Sequence, residues 1–434
     1  MKRAALFTLA AAIAWAAPPT IRDIQPRGAQ RGKSLTLYVR GDGLVRGTQV
    51  RSTLPGSFSQ LTLSKDPLAE SAAAMRPDSL LAFLVEVRPG APVGLYPVSL
   101  ENAGGLSNTV LFSIGEFPEL EEIEAKNPKQ PNNFAAEAQK IATPVVVAGT
   151  LESADIDNYI FTARAGQKLV FEVEARRAGS AIDPAIEIYD SAGKQLAASD
   201  DAPGLDVDAR VEVAFPAAGQ YRVAVRDSKF SDQAVNFYRL KIGSYAFAES
   251  VFPLGWKRGE PVEVTLSGGN LAQPVKLKPD THSPRSSIPL RLPGSAGLPI
   301  LFALGDSPEV FEVPDLDEAA LVNGRISKPG EIDRYKVKVE PGQQWVFEIA
   351  AASLGTSQLD ALLTLFDASG KKLAAADDGS GIDSVLPFTV PKDVREITVA
   401  VEDLLGRGGD MWGYRLTARR SPPDFVAELL TAQV

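Results

Sequence analysis

The chain has 434 residues, with 45 Lys and Arg against 54 Asp and Glu, for a formal net charge of −9. It carries no cysteine and one histidine, which excludes disulfides, thiolate chemistry, Cys-type zinc, iron–sulfur clusters and paired-histidine metal sites. The acidic balance disfavours nucleic acid and anionic lipid as partners and is compatible with divalent cations, which take carboxylate oxygens.

A single core stops growing near roughly 250–300 residues, so several domains are expected. Hydrophobic content of 44% and charged content of 23% are those of a globular protein. The 36 glycines and 32 prolines, with only 7% aromatics, suit many short strands joined by tight turns.

In chain order, residues 1–17 read as a signal peptide. Met1-Lys2-Arg3 is a cationic start, residues 4–14 are apolar, and Ala14-Trp15-Ala16 fits the small-x-small cleavage pattern. Cleavage is expected after Ala16 or Ala17, placing the mature chain outside the cytoplasm. This run is too short for a span of roughly 20 apolar residues, and no later run is long enough, so no membrane span is expected.

Segment A, residues 18–117, holds a strand-like run at 34–40, where Leu35, Leu37 and Val39 alternate with other residues before Gly41-Asp42-Gly43-Leu44. Segment B, residues 118–243, opens with 132–141, which predicts one or two helical turns. It continues with period-2 runs: Leu169, Phe171 and Val173 against Val170, Glu172 and Glu174, then Tyr221, Val223 and Val225 against Arg222, Ala224 and Arg226. Such alternation predicts half-buried antiparallel strands. Segment A′, residues 244–313, repeats the run of A at 261–267, where Val262, Val264 and Leu266 alternate before Gly268-Gly269-Asn270-Leu271. Segment B′ covers 314–420. Residues 421–434 read as a linker or the start of a further strand.

Internal repeats set the plan. Gly149, Asp157 and Tyr159 match Gly324, Asp333 and Tyr335; the Val170-Phe171-Glu172 run matches Val346-Phe347-Glu348; Tyr238-Arg239-Leu240 matches Tyr414-Arg415-Leu416. The offset stays at 175–176 in these stretches and becomes 177 where Asp190-Ser-Ala-Gly193 matches Asp367-Ala-Ser-Gly370. In these last two, Asp caps a turn and Gly supplies a positive φ. A second repeat sets Leu111-Phe112 and Glu119 against Leu301-Phe302 and Glu309. The expected fold class is therefore all-β: four β-sandwich modules in an A–B–A′–B′ tandem.

Asp155 and Asp157 flank Ile156, so both carboxylates face one side of an extended strand. With Glu124, Asn132 and Asn133 from the preceding segment they offer oxygens of the kind calcium takes, six to eight at a time. The alternative is a solvated acidic turn that caps backbone amides. The pairs Asp200-Asp201 and Asp377-Asp378 read as turn acids, with cation binding as the other reading. His282 lies in a polar, proline-broken loop and reads as a solvated side chain. The sequence has no Gly-x-Ser-x-Gly elbow, no phosphate loop and no dinucleotide fingerprint. No catalytic site is assigned, and no cofactor other than calcium.

Segments B and B′ resemble the bacterial pre-peptidase C-terminal domain. The resemblance rests on Pro131-Asn132-Asn133, Gly149, Asp155-Ile156-Asp157-Asn158-Tyr159, Ala165-Gly166, Asp183, Gly193, Asp200-Asp201 and Ala218-Gly219-Gln220-Tyr221. B′ lacks the Pro-Asn-Asn element and has Glu331 where B has Asp155. Gln130 stands where that family often has Glu. Segments A and A′ resemble immunoglobulin-like domains of the plexin and transcription-factor type, through Pro19–Pro26 and the Gly-x-Gly-Leu turn. The first resemblance implies a jelly-roll-like sandwich attached to exported proteins, some binding fibrous protein or polysaccharide and some binding calcium near the N-terminal segment. The expected function is a secreted, non-catalytic binding or adhesion protein whose partner is an extracellular protein or polysaccharide. The alternative is an accessory portion of a secreted peptidase or other hydrolase. A carboxylate-based hydrolase stands third.

Overall fold

The computed structural model describes residues 17–63, 79–123, 131–152, 155–230, 235–316, 321–379 and 381–420. Residues 1–16, Glu124 and residues 421–434, on which the signal-peptide, fifth calcium-ligand and linker expectations fall, lie outside the described residues. Strands take 51% of the chain and helix 2%, which places it in the all-β class. Among the described residues, no helix is long and apolar enough to cross a membrane.

One compact unit comprises Met1–Glu119 and a second Leu120–Gln433. In the first, the alternation at 34–40 becomes the strand Ser34–Asp42, which buries Leu37 and Val39. It lies between Thr20–Gln25 and Leu80–Val87 in a four-stranded sheet. The facing sheet contains Gly28–Gln30, Val110–Gly115, Gly94–Asn102 and Gln49–Ser52. Ile24, Leu37, Phe83, Val85, Leu100, Phe112 and Ile114 fill the space between.

The second unit uses one strand order twice. In B, the first sheet runs Glu119–Glu121, Val145–Thr150, Phe237–Gly243, Lys168–Glu174, Arg210–Ala214. The second runs Gln139–Lys140, Ile156–Ala163, Gly219–Asp227, Pro184–Tyr189, Gln195–Ser199. B′ repeats both orders, from Glu309–Phe311 to Val385–Thr389 and from Asp315–Leu316 to Lys372–Ala376. Asp157 stands opposite Val225 and Asp333 opposite Val401, so the two copies share register as well as order. Each pair of sheets closes on its own apolar core. The turn glycines Gly193 and Gly370 sit at φ +82° and +84° after Asp190 and Asp367, whose carboxylates accept the turn amides. A′ is smaller, with two three-stranded sheets around Val264, Leu266, Phe302 and Leu304. Its strand is shorter than the alternation suggests, covering Val264–Ser267, and Val262 packs against the core from outside the strand.

Two expectations are corrected. Residues 132–141 do not form a helical turn: a single Glu137-to-Phe134 turn is followed by the short strand Gln139–Lys140, paired in parallel with Tyr159 and Ile160. Backbone pairing to a neighbouring strand outweighs local propensity in so short a segment. The strand Lys168–Glu174 is also not half-buried. Val170, Glu172 and Glu174 on its outer face are as buried as Leu169, Phe171 and Val173.

The outer carboxylates are buried because cations close over them. Glu172 meets Arg177 at 3.2 Å and Lys241 at 3.3 Å, and accepts the Tyr245 hydroxyl at 3.0 Å. Glu174 pairs with Arg239 at 2.5 Å, and Arg177 also reaches Asp208 at 2.7 Å. Burial pushes the Glu172 carboxyl up, but Lys241, Arg177 and Arg210 overcome it and hold it well below the usual carboxylate range. Tyr245 belongs to the start of A′. Asn270 of A′ also donates to Glu212, and the Arg210 guanidinium lies 3.9 Å over the Phe247 ring. A′ and B′ meet at a second polar seam. There Asn323 donates to Glu309 at 2.7 Å and to the Gly255 carbonyl at 3.2 Å, accepts the Leu254 amide at 3.1 Å, and Arg415 pairs with Glu309.

Removing one partner of a buried ion cluster leaves the others uncompensated, at a cost of about 3–5 kcal/mol, whereas exposed pairs contribute about 0–1 kcal/mol. Glu172→Gln is therefore expected to lower the denaturant midpoint strongly. Glu348→Gln, at the matching position of B′ and 4.0 Å from an equally exposed Arg419, should leave it nearly unchanged. Equal effects at the two positions would contradict the cluster's role.

Candidate functional site

The most unusual chemistry lies at the start of the strand Ile156–Ala163 in B. Asp157 points inward and is fully buried, between the two sheets. Across the sandwich, Tyr238 donates its hydroxyl to Asp157 Oδ2 at 2.6 Å and touches the Tyr159 hydroxyl. Tyr238 can lie there because its backbone partner is Gly149: a Cβ at that position would come within 2.5 Å of the Tyr238 hydroxyl.

A second carboxylate, Glu122, completes the cluster. It accepts Tyr159 Oη at 3.1 Å, Asn132 Nδ2 at 3.0 Å and the Thr150 amide at 3.1 Å. Asn132 is anchored in turn, its carbonyl accepting both the backbone and the side-chain amide of Asn158 at 3.0 and 2.9 Å. Asp155, almost buried, accepts the Ile156 amide at 2.8 Å. Burial pushes the Asp157 carboxyl well above the usual range, and Glu122 and Asp155 push it further; Tyr238 opposes them. Asp155 is raised by burial and then by Glu122. Burial likewise raises both tyrosines.

Among the described residues, three buried oxygens here find no hydrogen-bond donor: Asn132 Oδ1, Asn133 Oδ1 and Asp157 Oδ1. The Asn132 oxygen is fixed in identity, because its amide nitrogen is committed to Glu122. Buried acceptors without donors are costly, and several belonging to one segment and the strand beside it make a place for a positive charge. Their chemistry suits a hard cation that takes carboxylate and amide oxygens. Among the described residues, no three His, Cys, Asp or Glu side chains converge closely enough to hold an ion by themselves, so the amide oxygens are essential to any such site.

Of the five residues expected for calcium, Asn132, Asp155 and Asp157 lie around Glu122, and Asn133 follows Asn132 in the chain. The fifth, Glu124, lies outside the described residues. The reading of these acids as a solvated turn is not met, since Asp157 is fully enclosed. Sequence reasoning missed Glu122, Tyr159 and Tyr238. The signal available was the repeat itself, which pairs Tyr159 with Tyr335 and Tyr238 with Tyr414.

B′ carries a reduced copy. Tyr414 donates to Asp333 at 2.5 Å and lies 2.6 Å from the Tyr335 hydroxyl, over Gly324. No asparagines of a Pro-Asn-Asn element are present, and Asp333 is half-buried. The other expected acids behave as turn residues: Asp200 accepts the Asp201 amide at 3.0 Å and Asp377 the Asp378 amide at 3.1 Å, all at the surface. His282 is exposed, its amide donating to Asp280 at 3.0 Å.

No family model matches the chain. A stretch of 66 residues is 38% identical to a protein described as a subtilase-type serine protease of Deinococcus radiodurans; it covers 15% of this chain and 9% of that protein. The pre-peptidase C-terminal domain of a collagenase from Bacillus anthracis is 18% identical, covering 24% of this chain and 93% of that one, with a TM-score of 0.20. Tandem CBM51 modules of a family 98 glycoside hydrolase from Streptococcus pneumoniae are 12% identical, covering 63% and 83%, with a TM-score of 0.17. A xyloglucan-locus protein, SGBP-B of Bacteroides uniformis, is 12% identical, covering 53% and 74%, with a TM-score of 0.17.

Burial pushes the Asp333 carboxyl up to about 6, Glu312 and Glu331 add to this, and the Tyr414 hydrogen bond opposes it. An unfolded Asp titrates near 3.9. The folded state therefore binds the proton more tightly, and this contribution is full below about pH 4 and lost as pH rises through about 6. Asp333→Asn should be more stable than the parent at pH 7–8, with the difference closing below pH 4. A difference independent of pH in thermal melts would contradict this.

Proposed function

We propose that the chain is an exported, non-catalytic binding protein that presents β-sandwich modules to an extracellular polymer, protein or polysaccharide. The observation that carries this reading is a scaffold kept and a surface changed. B and B′ share strand order, register and the tyrosine–aspartate crossing, yet differ in what their solvent faces and loop ends display. A binding module varies in this way, because its core specifies the fold while its outer residues choose the ligand. The short stretch shared with a subtilase-type protease supports a second reading, an accessory portion of a secreted hydrolase.

In this reading B holds calcium. Asn132 Oδ1, Asn133 Oδ1, Asp157 Oδ1 and the Asp155 carboxylate supply four of its oxygens. Calcium would neutralise the buried acids and fix the segment around Asn132 to the strand that begins at Ile156.

Two measurements test these statements. Mature protein, residues 18–434, is mixed with insoluble collagen, cellulose, chitin and peptidoglycan, with and without chelator. Retention on at least one of them is expected. Absence of retention on all, together with turnover of peptide or glycan substrates, would replace binding with catalysis. In melting experiments on the whole chain, calcium should stabilise the native state by about 2.7 kcal/mol at a hundredfold excess over Kd. Asn133→Ala and Asp157→Ala should abolish the rise, and Asp333→Ala should not. An unchanged melting curve of the parent at millimolar calcium would leave the acids as structural groups only.

A further inference from the structure

The second sheet of B turns a decorated face to solvent. Register places Lys140, Ile160, Arg222 and Tyr189 side by side on four adjacent strands. With strands spaced about 4.8 Å apart, this row is roughly 14 Å long and runs straight across the sheet. None of the four side chains points into the core: Lys140 is exposed and the other three are half-buried.

The row is held in shape. The Arg222 guanidinium lies 4.1 Å over the Tyr189 ring and donates to Asn158 Oδ1. Tyr189 donates to Glu187, which also meets Arg226 at 3.4 Å. Arg226 in turn lies 5.4 Å from the centre of the Phe230 ring. Phe230 is 49% exposed and sits at φ +48°, a conformation that a bulky side chain adopts only when its surroundings impose it. Among the described residues of these four strands, Lys140, Arg222 and Arg226 stand on this face beside the carboxylate Glu187, although the chain as a whole carries −9.

B′ provides an internal comparison. The matching row is Asp315, Lys336, Thr398 and Phe366. A carboxylate replaces Lys140, a threonine replaces Arg222, and Glu402 stands where Arg226 is. B′ keeps the same strand order without counterparts of Arg222 and Arg226 and carries its cation at Lys336, where Ile160 stands in B, so the fold does not require the two arginines.

Resting on the reading of the chain as a polymer-binding protein, we infer that this face of B binds a linear acidic polysaccharide, a uronate-bearing glycan. Sugar rings present apolar C–H faces that stack on Tyr189 and Phe230, and a guanidinium fixed by an aromatic ring offers its N–H edge to a carboxylate in two-point fashion. A straight row of cation, apolar residue, cation and ring matches an extended chain with regularly spaced carboxylates.

The probes are polygalacturonate and alginate, with dextran as the neutral comparison, titrated against the whole mature chain. Binding to one of the acidic glycans is expected, weakening at least tenfold between 50 and 500 mM salt (about the behaviour of contacts screened over a Debye length) and absent with dextran. Arg222→Ala and Arg226→Ala should each weaken it about tenfold. Arg222→Lys tests the two-point geometry without removing charge and should recover little of the loss. Thr398→Ala in B′ should change nothing, and melting curves establish that each variant is folded. Equal binding of dextran, retention only on an acidic protein, or folded arginine variants that bind as the parent does would each overturn the inference. If the parent is retained on collagen, cellulose, chitin or peptidoglycan but ignores both acidic glycans, this face is wrongly assigned while the polymer-binding reading stands. If it binds no polymer at all, both fall.

Discussion

Each large sandwich hangs on one crossing between its sheets. In B, Tyr238 leaves the first sheet over Gly149 and delivers its hydroxyl to Asp157 of the second. In B′, Tyr414 does the same over Gly324 to Asp333. Two sheets packed only through aliphatic side chains can slide by a residue pair at modest cost. A buried acid that must meet one hydroxyl cannot, because a displaced Asp157 would leave both polar groups unpaired in a dry core, at about 1–3 kcal/mol. Glycine, tyrosine and aspartate therefore specify one another. Their recurrence at near-constant spacing is the structural content of the sequence repeat.

Much of this was legible before any coordinates. Period 2 located the strands, and the recurring Asp-Ser-Ala-Gly and Asp-Ala-Ser-Gly turns located their hairpins. The pairing of Asp155 with Asp157 around one isoleucine pointed to the start of the right strand. What the sequence concealed was what lies over each face. Glu172 and Glu174 read as exposed because alternation reports only which side of a strand a residue occupies, not whether Lys241, Arg177 and Tyr245 close over it. Glu122 was invisible for another reason: it stands 35 residues before Asp157, and only the sandwich's closure brings its carboxylate to Tyr159. Tyr159 and Tyr238 read as core aromatics, which they are, while their hydroxyls carry the polar part of the site.

The two copies have also diverged in how much strain on solvation they tolerate. Both copies bury an acid that caps backbone amides, Asp208 in B and Asp383 in B′, but B also buries Asp157, Glu122, Glu172 and Glu174. B′ leaves Asp333 half-buried and places Glu348 at the surface. Charges enclosed in this way are costly unless every neighbour is in place, so the first copy is the one in which a missing partner, cation or side chain, has the larger consequence.

The first and last long strands of B, Val145–Thr150 and Phe237–Gly243, are antiparallel neighbours, with Val145 opposite Ile242. The corresponding strands of B′ pair in the same sense. Chain arrival and departure therefore lie side by side at one pole of the sandwich, while Thr150, Ile156 and Phe237 lie toward the other. A body whose chain ends share one pole behaves as a cassette: it can be inserted or copied in a longer polypeptide together with the smaller module that shares its polar seam. Copy number then becomes a route to avidity, since each added cassette raises the local concentration of ligand-facing surface without requiring a new contact to be invented.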